Sequence, residues 1–281
     1  MLDVSVTLVV LLAAVAHATW NAILHAVDDT FLVMTLIMVG GGLFAVPLVL
    51  LQPAPAAAAW PFLAISVGLQ YVYNLLLVQS YRLGDFGQMY PLARGVSPVV
   101  VTVAAALFLG EVPTPAAIAG VAVIFVALAA LVLAGRRRVR VTPAALAAAI
   151  GTGLAIAAYT MIDGVGARRS GSPFGYVGWL ILLEAVAIAA TAVAVRGRSL
   201  VVQARAVWPR GLAAGALSLL AYGLVLWAQT RGTLAPVAAL RETSVLVGAG
   251  IATVVFKEPF GRARIVATGF VVAGILILTL G

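Results

Sequence analysis

Residues 94–111 read RGVSPVVVTVAAALFLGE, and residues 241–258 read RETSVLVGAGIATVVFKE. In each stretch a serine follows the first arginine by three residues, and a glutamate closes an apolar run 17 residues after that arginine. The two stretches are offset by 147 residues in a chain of 281. An internal match over this distance, built on apolar runs, indicates two copies of one helical unit.

A second match lies near the start of each half. Residues 18–21 read Ala-Thr-Trp-Asn and residues 157–160 read Ala-Ala-Tyr-Thr, at an offset of 139. Because the two matches occur in the same order, they support a duplicated chain whose halves differ by small loop insertions.

Composition places the chain in a membrane. It is 64% hydrophobic and only 9% charged, whereas a soluble domain is about 45–50% apolar and about 25% charged. The absence of cysteine and the presence of only two histidines exclude a disulfide framework and argue against a structural zinc site. The net charge of +8 comes from basic residues in short gaps between apolar runs, so we expect no nucleic-acid partner.

Ten apolar runs are long enough to cross the roughly 30 Å hydrocarbon core. They lie near 4–26, 30–51, 60–80, 87–109, 114–134, 144–165, 173–195, 209–229, 233–256 and 262–280. The runs are too long, and alternate too little, for strands of a barrel. The sequence therefore predicts an all-α integral membrane protein of about ten transmembrane helices.

Five helices in each half force the second half to enter the membrane from the opposite side, so we expect two inverted repeats. The first repeat spans residues 1–135, a basic linker spans 136–143, and the second repeat spans 144–281. Twelve of the 17 Lys and Arg residues fall in the loops after odd-numbered runs, three fall in the opposite loops, and two lie within runs. The positive-inside rule then favours both termini outside, in a multi-pass protein of the cell inner (plasma) membrane.

The stretch Tyr90-Pro-Leu-Ala-Arg-Gly-Val-Ser-Pro98, continuing to Gly110-Glu111, resembles the end of an EamA repeat, and so does the stretch 241–258. The chain as a whole is similar to members of the drug/metabolite transporter superfamily that contain two EamA repeats. The resemblance implies a helical bundle with a central cavity, lined mainly by the first, third, fourth, sixth, eighth and ninth runs. It also implies export or exchange of a small organic solute. Many relatives have both termini in the cytoplasm, in contrast to the loop charges here.

Arg94 and Arg241 are the most informative ionisable residues inside the runs. Each lies seven or eight residues into its run, roughly 10–12 Å deep, so inverted repeats bring both towards the bundle centre. A charged side chain at such a depth costs free energy, so we expect it to have a function or a partner. One interpretation is a clamp for a carboxylate or phosphate. The other is a structural ion pair of either arginine with Glu242, Asp163 or Glu184.

Polar and aromatic residues in several other runs favour a wet cavity. His17 and Asn21 share one face of the first run beside Trp20, and the sixth run offers Tyr159 and Asp163. Interhelical hydrogen bonding is the alternative interpretation. For Glu184 a buried salt bridge is the preferred interpretation. The complete set of predicted solute-binding residues is His17, Trp20, Asn21, Tyr73, Asn74, Tyr90, Arg94, Tyr159, Asp163, Tyr222, Arg241 and Glu242.

These features predict a secondary transporter that moves a small organic solute by alternating access, and the two arginines favour an anionic or zwitterionic solute. A lipid flippase or scramblase of the same superfamily is the main alternative. An intramembrane enzyme is less favoured, because the sequence has no HExxH, no GxSxG and no acidic metal cluster. No P-loop is present and no cofactor is expected. The expected partners are the solute and lipid, with a homodimer possible through the small residues Gly211 and Gly215.

Overall fold

The computed structural model describes residues 3–83, 86–111, 113–135 and 142–255, together with residues 266, 269, 270, 273, 274 and 277. Within these ranges the protein consists of helices, a single 3-10 turn at Ala57–Ala59 and loops, without strands. The prediction of an all-helical chain is therefore confirmed for the described residues. The helices are α1 (Val4–His25), α2 (Thr30–Leu51), α3 (Trp60–Leu83), α4 (Phe86–Leu109), α5 (Pro115–Gly135), α6 (Pro143–Arg169), α7 (Pro173–Arg196), α8 (Ser199–Ala204), α9 (Trp208–Gln229), α10 (Leu234–Arg241) and α11 (Ser244–Val254).

Six of the described helical segments are long and apolar enough to cross a membrane, those containing α1, α2, α3, α6, α7 and α9. The first eight predicted runs each coincide with one helix. The prediction of a single ninth helix over 233–256 is wrong, because α10 ends at Arg241 and α11 begins at Ser244. The tenth run and the basic linker lie mostly outside the described residues, so ten spanning helices remain a prediction.

Helix starts follow local capping chemistry. Thr142 Oγ1 accepts the backbone N–H of Ala145 at 3.2 Å at the start of α6. Ser172 Oγ accepts the backbone N–H of Gly175 at 3.1 Å at the start of α7. Each cap is followed by a proline at the first helical position, where proline loses no helical hydrogen bond.

The two halves of the chain interlock. Helix α2 packs mainly against α7 and α9, α3 and α4 pack against α6, and α1 packs against α9 and α11. A large apolar cluster, which includes Trp20, Tyr73 and Tyr159, joins the helices at the centre. The polar residues described below therefore sit between helices of both halves.

Glycine allows the backbones of α2 and α9 to touch. A Cβ on Gly40 would lie 3.0 Å from the carbonyl oxygen of Gly211, and one on Gly41 would lie 3.4 Å from that of Gly215. The Gly211–Gly215 stripe is thus used within the chain. A homodimer remains a prediction, and this stripe no longer supports it.

Candidate functional site

A small cavity lies among α1, α2, α3, α6, α7 and α9. Its volume is about 30 Å³, room for about one water molecule. Six of the predicted site residues line it. The lining residues are His17, Trp20, Met38, Gln70, Tyr73, Asn74, Tyr159, Ile181, Glu184, Ser218 and Tyr222.

Helix α1 presents a fixed polar unit to this cavity. Trp20 Nε1–H donates to His17 Nδ1 at 3.2 Å, and Asn21 Nδ2 donates to the backbone carbonyl of His17 at 2.9 Å. Because Nδ1 accepts a hydrogen bond, the imidazole carries its proton on Nε2. Within the described ranges Nε2 has no hydrogen-bond partner. His17 therefore supplies a buried donor that remains available at the cavity.

Aromatic rings form another part of the wall. The Tyr159 ring centroid lies 5.4 Å from that of Tyr73 and 6.0 Å from that of Tyr222, both in edge-to-face geometry. Such contacts stabilise a particular arrangement of rings beyond the burial of their area. They link α3, α6 and α9 around the cavity.

Asp163 is a hydrogen-bonded junction between four helices. Its carboxylate accepts hydrogen bonds from Gln70 Nε2 at 3.1 Å, from Tyr176 OH at 2.8 Å, and from Tyr222 OH. Its side chain is completely buried. Gln70 and Tyr222 also line the cavity, so Asp163 stands immediately behind the wall and orients two of its members.

The prediction of a buried salt bridge for Glu184 is wrong. Glu184 makes no salt bridge with any described residue. Instead, Asn74 Nδ2 donates a hydrogen bond to Glu184 Oε1. The side chain is 2% exposed and lines the cavity. A residue interpreted as structural is thus placed at the centre of the candidate site.

The Arg94 pairing agrees with the structural interpretation. Arg94 Nε lies 2.9 Å from Glu242 Oε2, and both side chains are buried. Arg94 Nη2 also donates to Ser244 Oγ at 3.4 Å. Glu242 and Ser244 flank the interruption between α10 and α11, so the ion pair ties α4 to that break.

The interruption itself is a tightened turn. The backbone N–H groups of Glu242 and Thr243 donate to carbonyls three residues earlier, and those of Val245 and Leu246 do the same. This is the 3-10 pattern, which within a longer helix often marks strain or a hinge. Arg241 is the last residue of α10 before it.

Arg241 is the less satisfied of the two arginines. Its side chain is 3% exposed, and its Nε and Nη2 have no hydrogen-bond partner in the part of the chain that the structure describes. The positive field of both arginines reaches His17 and Tyr159 at the cavity wall. The arginine cluster therefore lies next to the cavity without lining it.

Two further ion pairs join the halves at opposite ends of the bundle. Arg168 Nη1 lies 2.6 Å from Glu111 Oε1 at one end. At the other end, Arg196 Nη1 and Nη2 donate to the two carboxylate oxygens of Asp29 at 2.5 and 2.7 Å. The hydrogen bond from Arg196 lowers the pKa of Asp29 below its ordinary value.

Comparison with known proteins relates the chain to a transporter family. The model of the EamA-like transporter family matches residues 143–280. The second half of the chain therefore belongs to the EamA-like transporter family. One solved crystal structure is 19% identical and has a TM-score of 0.76 over 98% of this chain and 96% of that chain, which shows a shared fold. No curated protein matches the chain.

The match of the second half and the six apolar helices together indicate a multi-pass membrane protein of a transporter family. The resemblance had implied a cavity lined by the fourth and ninth runs, among others. Among the described side chains, those of α2 and α7 line the cavity and those of α4, α10 and α11 do not; these three helices carry the arginine cluster beside it. Asn21, Asp163 and Glu242 also lie outside the wall. Tyr90 is within α4, but its side chain lies outside the described residues, as does Glu258.

Several cavity residues of the EamA-like chain were not predicted as site residues. They are Met38, Gln70, Ile181, Glu184 and Ser218. Gln70 lies on one stripe of the third run with Tyr73 and Asn74, and that polar stripe favours a wet cavity from the sequence alone. Within the described residues, no cluster of three or more His, Asp or Glu side chains is arranged to hold a metal ion.

Proposed function

We propose that the protein is a secondary transporter that carries a small organic anion or zwitterion by alternating access. The observation that carries this proposal is Arg241, a buried guanidinium whose Nε and Nη2 donors lack partners among the described residues. Leaving buried donors of a charged group unbonded is costly. A solute that brings a carboxylate or phosphate would satisfy them, since guanidinium matches the geometry of both groups.

Charge balance supports the same solute class. Arg94, Arg241 and Glu242 are all buried, and among the described residues Arg94 and Glu242 form an ion pair, whereas Arg241 forms none. Two positive charges and one negative charge leave one positive charge in excess. An incoming anionic group would neutralise this charge, and the attraction between them is strong because the site is withdrawn from water.

Alternating access is supported by the small volume of the cavity and by its position. The cavity is too small for an organic solute and lies between helices of both halves. The inter-half ion pairs hold the bundle at both ends. Transporters of repeated architecture place their sites at such interfaces, next to interrupted helices, and open one side at a time. The break between α10 and α11 fits that plan.

The test is a comparison of metabolites in cells and medium with and without the protein, at matched membrane abundance. The informative variant is Arg241→Gln, and the matched control is Arg231→Gln, since Arg231 is exposed and stacks on the Trp227 ring at 4.6 Å. We expect wild type and Arg231→Gln to export one carboxylate- or phosphate-bearing solute, and Arg241→Gln to export at least tenfold less. Equal export by all three proteins would make Arg241 structural and overturn the site assignment.

A lipid flippase is the second candidate, because one surface feature favours it. An apolar groove of about 380 Å³ lies on α2, α7 and α9, with Phe44, Leu48 and Leu220 among its lining residues. A groove of this kind accommodates acyl chains. If no soluble metabolite responds to wild type, movement of labelled phospholipid between leaflets of reconstituted liposomes decides for or against this alternative.

A further inference from the structure

Glu184 occupies the middle of α7. It lies 11 residues after Pro173 and 12 before Arg196, which is roughly 16–18 Å from either end of the helix. Its side chain is 2% exposed and lines the cavity. An ionisable group at this depth costs free energy, so its presence points to a function.

The surroundings of Glu184 differ from those of the other buried carboxylates. Glu242 has Arg94 beside it, and Asp163 accepts hydrogen bonds from Gln70 and two tyrosines. Glu184 has one hydrogen bond from the neutral amide of Asn74. Among the described residues it has no salt-bridge partner.

No helix packed on α7 brings a cation to this carboxylate in the described structure. Helix α2 presents Met38, and α3 presents Asn74 and Tyr73. Helix α6 presents Tyr159 and the like-charged Asp163, α9 presents Ser218 and Tyr222, and α8 has no ionisable residue. Across the cavity α1 presents His17, whose acceptor nitrogen is already bonded to Trp20. A buried carboxylate without a cation is favoured as the neutral acid.

Asn74 is suited to both protonation states of Glu184. Its Nδ2 donates to Oε1, while its Oδ1 is buried and has no partner within the described ranges. An amide can reverse its oxygen and nitrogen by a half-turn, and the hydrogen-bond network decides which orientation is present. In the observed orientation the amide donates to Oε1, which accepts as a carboxylate oxygen or as the carbonyl oxygen of the acid. In the reversed orientation Oδ1 would accept the O–H of the protonated acid.

We propose that Glu184 is a proton-binding site at the centre of the bundle, and that Asn74 reverses its amide as the proton arrives or leaves. The proton passes from the carboxyl O–H of Glu184 to water when the cavity opens at one end, and it returns from water when the cavity opens at the other. Closure around an ionised Glu184 is disfavoured, so the proton and the opening of the bundle are linked. This inference rests on the proposed function, because it supplies the energy coupling for transport.

The site can be tested without knowing the solute. The purified full chain in liposomes is titrated with pH while infrared spectra record the carbonyl band of protonated carboxylic acids. Wild type is compared with Glu184→Gln, Asn74→Ala and the matched control Asp28→Asn, which changes an exposed acid to its amide. We expect loss of one pH-dependent band in Glu184→Gln, a shift of that band in Asn74→Ala, and no change in Asp28→Asn.

The proposal is overturned if wild type lacks a band that titrates, or if Glu184→Gln retains it. If Glu184→Gln does not fold, Glu184→Asp takes its place, because a shorter acid should displace the band. An unchanged band in Glu184→Asp would likewise overturn the assignment.

A transport measurement separates this inference from the proposed function. Export of the solute found by metabolite profiling is measured with and without a protonophore. Loss of export on adding the protonophore supports the proton site. Export that is unchanged by the protonophore would mean that the protein is a carrier whose transport is not coupled to protons. If wild type exports nothing, the proposed function fails, while the infrared titration still decides whether Glu184 binds the proton.

Discussion

Arg168 Nη1, in the last turn of α6, lies 2.6 Å from Oε1 of Glu111, just beyond the end of α4. The other oxygen of Glu111 accepts the backbone N–H of Leu234, the first residue of α10, at 2.8 Å. One carboxylate thus holds a cation from α6 and the start of α10 together. The repeat motif that closes with this glutamate therefore has a structural role at the helix ends, away from the cavity.

Glu111→Ala should lower the free energy of unfolding by roughly 1–2 kcal/mol. The change removes a partly exposed ion pair and leaves the Leu234 N–H without its acceptor. Thermal unfolding in detergent measures the effect. Asp28→Ala is the control and should stay within about 0.5 kcal/mol, because Asp28 is exposed. Equal unfolding temperatures for wild type and Glu111→Ala would show that the contact contributes nothing to the free energy of unfolding.

The Asp29–Arg196 pair predicts a dependence of stability on pH. The pKa of Asp29 is lowered in the folded state by the Arg196 hydrogen bond. Its contribution is therefore fully present above the unfolded pKa of about 4 and is lost as the pH falls through the lower, folded value. The effect is at most about 1 kcal/mol, since Asp29 is 41% exposed.

The matched variant for this pair is Asp29→Asn, because asparagine caps α2 as well as aspartate does. The stability difference between wild type and Asp29→Asn should be constant near neutral pH and should vanish in acid. Unfolding temperatures across a pH series test this. A difference that grows as the pH falls would have the wrong sign.

The buried Arg94–Glu242 pair predicts strong coupling between two substitutions. Glu242→Gln alone leaves the Arg94 charge buried without its carboxylate, at a cost of roughly 3–5 kcal/mol. Arg94→Gln alone should cost a similar amount, and the double variant should cost clearly less than the sum. Denaturant unfolding of the four proteins gives the coupling energy. Strict additivity would mean that the two charges act independently.

Close packing of α2 against α7 predicts the effect of one added methyl group. A Cβ on Gly42 would lie 2.5 Å from Ala185 Cβ, so Gly42→Ala should destabilise the protein by roughly 1–3 kcal/mol. Gly68→Ala is the control, because no atom lies within 4 Å of its added Cβ. That change should be neutral or stabilise by up to about 1 kcal/mol, since alanine favours helices. The unfolding temperatures of both variants measure this difference, and equal shifts would contradict the prediction.

Helix bounds were predictable because apolar run length and capping residues are local properties. The first eight runs end within a few residues of the helices, and Pro143 and Pro173 begin theirs. The face that His17 and Asn21 share was predictable from their spacing alone. The break after Arg241 was not, because the sequence between Arg241 and Ser244 contains neither glycine nor proline.

The position of Glu184 at the cavity could not be predicted for a different reason. Helix α7 is apolar around its whole circumference, so no polar stripe tells which face points inward. The orientation is set by tertiary contacts, including the Asn74 hydrogen bond from a residue 110 positions away. Similarly, sequence spacing placed both arginines near the bundle centre but gave no means of choosing Arg94 rather than Arg241 as the partner of Glu242.

The small volume of the cavity, about 30 Å³, has a consequence for affinity measurements. Under the proposed alternating access, a solute binds only the fraction of molecules that are open, so its observed dissociation constant equals the intrinsic constant divided by that fraction. We expect that breaking Asp29–Arg196 or Glu111–Arg168 enlarges the open population without altering a cavity residue. Such variants should appear to bind solute more tightly, although every group that touches the solute is unchanged.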